Sequence, residues 1–208
     1  MAPSARSSMN AGDLVGCFLI AMPSLQGDAF ERTLVYLCEH DASGAMGLIV
    51  NRTSDVSISD VVKDFVSKED GKDEADADGQ IQFEVLNRSN QTVLLGGPVS
   101  SDRGFVLHAP YKEYASTVRI NERLGLTRSF DILEDIGRGQ GPKQMLMALG
   151  YAGWSAGQLE KELVANAWLA VPANEHILFE TLPSEKYDQA IRLLGINELM
   201  LSDTMGHA

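Results

Sequence analysis

Two cysteines in 208 residues exclude a disulfide framework, and Cys17 and Cys38 form no CxxC pair. Long apolar runs are also missing. Leu14–Met22 supplies nine uncharged residues, against the ~20 that a membrane-crossing helix needs. Asp13 abuts that run and Pro23 follows it without a small-residue cleavage site, so it reads as a core strand and not as an export signal. A cytoplasmic location, with reduced thiols and no membrane attachment, is the expectation. Basic charge is scarce: Lys and Arg total 17 against 29 Asp and Glu, a net charge of −12. The nearest thing to a basic cluster, Arg119–Arg128, spreads its arginines around Glu122. Direct nucleic-acid binding, which needs a basic stripe, is not expected.

The usual signatures of chemistry are absent as well. No GxxxxGK[ST] or GxGxxG phosphate loop, no GxSxG elbow and no HExxH helix occurs. His40, His108, His176 and His207 are too dispersed to imply a metal centre. No metal and no cofactor is expected.

What the chain does have is core material, at 44% hydrophobic. Met1–Gly12 is a polar, small-residue lead-in expected to fray. Strands are expected at Gly16–Ala21, Thr33–Cys38, Met46–Val50, Thr92–Leu95, Gly104–His108, Ser116–Ile120, Trp168–Val171 and His176–Phe179. Ser57-Ile-Ser-Asp60 reads as a capping box opening a helix, and Ser155-Ala-Gly-Gln158 as a second. A short helix is expected over Phe130–Ile136, and a last one capped by Ser184 and stopped at Gly195. Lys143–Leu149 fits strand alternation and helix composition equally. Ser67–Gly79, with six acids against two lysines, reads as a solvated, mobile loop. No repeat and no clear linker divides residues 13–208, so one α+β domain is expected.

Two candidate sites stand out. If the strand runs on through His40, Cys38 and His40 share a face, and a thiol beside an imidazole is the minimum for a thiolate nucleophile or a redox sensor. Asn51 on the partner strand is placed to orient the imidazole. The competing reading is a buried structural cysteine, since Leu34 and Tyr36 share that face. The second site is Gly96-Gly97-Pro98 with Arg103 and His108. Adjacent glycines can turn backbone N–H groups towards an anion that an arginine clamps. A plain Gly-Gly turn is the alternative. If the hairpins carrying His40, Asn51, Gly96, Gly97, Arg103 and His108 open to one side of the sheet, they form a shallow polar cleft for a small anion or an acidic peptide, with Arg103 as its main charge.

The wording of several blocks adds a different kind of information. RTLVYLCEH followed by GAMGLIVN, within Met22–Asn51, closely resembles the bacterial YqgE/AlgH family. GGPV at Gly96, RGFVLH at Arg103, SFDILE at Ser129, LGYAGW at Leu149, GQLE at Gly157, NAWL at Asn166 and the terminal GHA follow in order. The resemblance implies a mixed sheet of barrel-like character surrounded by helices, with a strand at Lys143–Leu149. It also implies the label that family members commonly carry, transcriptional regulator. A non-enzymatic regulatory or binding protein is therefore expected, acting indirectly through a protein partner or a small anionic ligand. The alternative is a small cysteine-dependent enzyme or redox sensor using Cys38 and His40.

Overall fold

The computed structural model describes residues 14–25, 29–63 and 92–195. The N-terminal lead-in and the acidic Ser67–Gly79 segment lie outside the described residues. Apolar side chains on both faces make β1 (Cys17–Ala21) and β2 (Leu34–Asp41) interior strands, and almost every residue in them is buried. They pair antiparallel, Ile20 opposite Leu34, and β2 turns back into β3 (Gly44–Ile49).

Short strands β4 (Thr53–Ser57) and β5 (Thr92–Leu95) pair with each other. They are followed by β6 (Val99–Ala109), β7 (Thr117–Arg119) and β8 (Gly125–Thr127). The sheet is organised around β9 (Gln144–Ser155), which runs antiparallel to β3 and β6 and parallel to β5. β10 (Trp168–Pro172) closes the order β10-β1-β2-β3-β9-β6-β8-β7. Among the described residues, one parallel pairing among antiparallel ones makes the sheet mixed.

Helices cover it where apolar faces would otherwise meet water: α1 (Asp131–Gly137), α2 (Gln158–Val164), α3 (Glu175–Phe179) and α4 (Pro183–Leu193). The sheet curls into a half-barrel, and one α+β domain results. Inside the curl, Phe18, Tyr36, Leu107 and Leu126 pack with Ile177 and Leu178 of α3 and Ile191 of α4. On the outer side, Val35, Leu37, Trp154 and Trp168 form a second core under Leu159 of α2. A third gathers Val106, Met145 and Met147 beneath Ile132 and Ile136 of α1.

Most expected elements appear, with four corrections. Ser155 does not cap α2: its N-cap is Gly157 at φ +72°, and the Gln158 side chain accepts from Ser155 N and Oγ at 3.0 and 3.1 Å. His176–Phe179 is helical, not a strand, because Asn174 caps it: its side-chain oxygen accepts from the backbone N–H groups of His176 and Ile177 at 2.9 and 3.2 Å. Ser184 lies inside α4, which starts at Pro183, a residue pre-set for the first helical position. β4 and β8 escape the sequence reading because each is short and weakly patterned. Ser57 does cap the turn: the Asp60 N–H donates to Ser57 Oγ at 3.1 Å, Ser57 Oγ donates to Asp60 Oδ2 at 2.6 Å, and residues 58–63 are helical. Gly195 stops α4 at φ +70°.

Candidate functional site

A β-bulge decides the geometry of the first hairpin. Leu37 pairs with Gly47 and Glu39 with Met46, so Cys38 has no partner across the ladder. One extra residue shifts the alternation of all that follow. Cys38 therefore stays with Tyr36 in the inner core, its Sγ 3.5 Å from the Tyr36 carbonyl. Glu39 is turned towards the same side of the sheet, and His40 goes to the other. His40 Nε2 lies 2.9 Å from Glu160 Oε1 on α2, the helix over the second core. The shared face expected for Cys38 and His40 does not exist. Burial also pushes the Cys38 thiol well above its ordinary pKa.

The other expected site residues take up distinct places. Asn51 Oδ1 accepts from the Leu34 N–H at 2.8 Å and its Nδ2 donates to the Arg32 carbonyl at 2.9 Å. It thus ties the entry of β2 to the exit of β3. Gly96 and Gly97 serve close packing: a Cβ at Gly96 would sit 2.3 Å from the Gly150 carbonyl oxygen, and one at Gly97 2.1 Å from the Tyr151 carbonyl carbon. The Gly96 N–H is taken by the Leu149 carbonyl at 2.7 Å. His108 is fully buried, with Nε2 2.9 Å from Thr127 Oγ1, which meets Thr117 Oγ1 at 2.8 Å. Burial lowers its pKa, so the imidazole is neutral at pH 7.

Arg103 stands apart from these, exposed at the rim of a cavity of about 940 Å³. The cavity lies between the β2–β3 hairpin, β6, β9 and the start of α1. Its wall is apolar, with Met46, Phe105, Met147, Leu149 and Tyr151 on it, and its volume falls in the range of small-molecule sites. The rim carries Glu39, Asp41, Asp102, Arg103 and Arg128. Arg128 and Glu39 pair at 2.9 Å. The Asp41 carboxylate accepts from Ser43 N and Oγ at 2.7 and 2.5 Å, which holds its pKa below the usual carboxylate range. No carboxylate among the described residues pairs with Arg103. Arg103 and the tip of the first hairpin thus face one space, while His40, Asn51 and His108 make their bonds elsewhere. Among the described residues no group of three His, Cys, Asp or Glu is placed to hold a metal ion.

Glu39, Arg128 and the apolar wall were not read from the sequence as site residues. Glu39 was hidden because only the bulge aims it inward.

The AlgH-like family model, DUF179, matches residues 18–199. The chain belongs to this family. A UPF0301 protein of Nitrosospira multiformis is 45% identical over 200 residues, covering 96% of this chain and 100% of that one. One from Nitrosomonas eutropha is 46% identical over 201 residues, with coverage of 96% and 100%. The solution structure of the AlgH protein from Pseudomonas aeruginosa is 40% identical and superposes at a TM-score of 0.70 over all of both chains. A crystal structure from Corynebacterium diphtheriae, 20% identical, superposes at 0.64 over 85% of each chain and shares the fold. Every element that lines the cavity in this AlgH-like chain lies within the matched span. Among the described residues no helix is long and apolar enough to cross a membrane.

Proposed function

We propose that this AlgH-like chain is a non-enzymatic binding protein whose cavity takes a small amphiphilic anion. Any regulatory effect then passes through that ligand, or through a protein that senses it, and not through DNA contact. The observation that carries this reading is an exposed Arg103, unpaired among the described residues, on the rim of an apolar-walled cavity.

The charge balance narrows the ligand class. Three carboxylates and two guanidinium groups share the rim, so the cavity offers no net positive field to a bare anion such as phosphate. Two of the carboxylates are engaged, Glu39 by Arg128 and Asp41 by Ser43. Affinity must come mainly from apolar burial against Met46, Phe105 and Tyr151, which share one face of the sheet, at about 25 cal/mol per Å², with Arg103 orienting the charged end. The enzymatic alternative lacks support from the geometry: the bulge separates Cys38 from His40, and His108 is spent on the Thr127 hydroxyl.

A pair of dyes that differ mainly in one charge tests the reading. 1-Anilinonaphthalene-8-sulfonate is anionic and N-phenyl-1-naphthylamine is neutral. Both are expected to bind the native protein, and Val99→Trp, which fills the cavity from its rim, is expected to weaken both. Arg103→Gln is expected to weaken the anionic dye about fivefold, the worth of a half-exposed charge contact of ~1 kcal/mol, and to leave the neutral dye within about twofold, since it has no charge for the guanidinium to meet. Absence of binding by either dye, or binding indifferent to Val99→Trp, would contradict the proposal.

A further inference from the structure

We infer that Glu39 is a built-in competitor for the ligand's anionic group, occupying Arg128 until the ligand displaces it. This rests on the cavity being the ligand site. The bulge is the first support. In a regular ladder Glu39 would point away from Cys38, towards α2. With Cys38 unopposed, Glu39 is re-aimed to the cavity rim, where its Oε1 lies 2.9 Å from an Arg128 Nη. Bulges are enriched beside functional sites for this reason, since one inserted residue turns a side chain to the opposite face.

The second support is the character of the pair. Its side chains are 41% and 43% exposed, so water competes with it and the contact is weak enough to exchange. It joins two elements distant in sequence, β2 and the residue following β8, across the cavity mouth. A ligand carboxylate, sulfonate or phosphate reproduces the partner that Glu39 offers. On entry it would release Glu39 to solvent and take Arg128 as a second cation beside Arg103. Held by Glu39, Arg128 is kept in place, and anions without enough apolar body to repay the exchange are rejected.

The test is a double-mutant cycle read by the two dyes. Glu39→Gln is expected to tighten the anionic dye about threefold to fivefold, the scale of one exposed ion pair, with the neutral dye unchanged. Arg128→Gln is expected to weaken the anionic dye, and in that background Glu39→Gln is expected to have no effect. An Arg128 side-chain N–H resonance that moves on adding the anionic dye but not the neutral one gives a second reading on the unmutated protein. Unchanged affinity in Glu39→Gln would overturn the inference while leaving the cavity reading intact. Equal tightening with and without Arg128 would reduce Glu39 to a repelling charge and also overturn it. If neither dye binds at all, the cavity reading itself fails and the inference with it.

Discussion

Cys38 and His40, two residues apart on β2, face opposite sides of the sheet. The thiol lies in the inner core with its pKa raised by burial, and the imidazole pairs with Glu160 outside it. A thiolate is needed for alkylation. Native protein at pH 6 to 8 (a range set by the ordinary thiol pKa of about 8.5) is expected to leave Cys38 unlabelled by iodoacetamide. His40→Ala is expected to change nothing, and labelling is expected only on unfolding. Rapid labelling at pH 6 that His40→Ala abolishes would restore the paired thiol and imidazole.

Lys186 is only 1% exposed, and its Nζ donates to the Leu178 carbonyl at 2.7 Å. Burial lowers its pKa to about 8, whereas an unfolded lysine titrates near about 10.4. Between those values the unfolded chain holds a proton that the folded chain has released, so this group makes stability rise with pH. Below pH 8 the cost of burying the charge is fully present. Lys186→Met is expected to be the more stable protein at pH 7, by about 1–3 kcal/mol, with the gap narrowing towards pH 10. Urea midpoints of both proteins across that range check it, and a gap independent of pH would contradict it.

Gly97 adopts φ +151°, and a Cβ there would meet the backbone of Tyr151 and Ala152 at 2.1 to 2.4 Å. β9 cannot retreat without giving up its pairing with β6. Gly97→Ala is expected to cost about 3 kcal/mol or more, seen as a lowered thermal midpoint. A midpoint within a degree or two of the parent would show that this approach is not required.

Five basic side chains are committed to carboxylates: Arg32 to Asp188, Lys112 to Asp135, Arg123 to Glu175, Arg128 to Glu39 and Arg138 to Glu134. With a net charge of −12, binding to random duplex DNA at physiological salt is expected to be weaker than about 10⁻⁴ M, the weak end of non-specific affinities. A fluorescence-anisotropy titration with sub-micromolar affinity and a steep salt dependence would overturn this.

Sequence reading reached what local pattern encodes. Continuous apolar runs gave β1 and β2, the Ser57 box gave the helical turn after it, and Phe130–Ile136 gave α1 within a residue. It missed what depends on one inserted residue or on distant partners. Nothing in LCEHD marks Cys38 as the bulged position, because the bulge exists only relative to β3. Glu39 as a cavity group and His40 as a partner of Glu160 follow from that single offset. Gly96 and Gly97 read as a turn in preference to an anion nest, and only the approach of β9 shows that they serve close packing. Arg103 is exposed at the cavity rim, and an exposed arginine on a strand needs no distant partner to be found.

An amide chemical-shift map on adding decanoate, a carboxylate on an apolar tail, tests the central claim most directly. The largest shifts are expected at Met46, Arg103, Phe105, Arg128 and Met147, around the cavity, saturating with one site. Shifts confined to the exposed apolar residues Val164, Leu182 and Leu193, with the cavity amides unmoved, would contradict it.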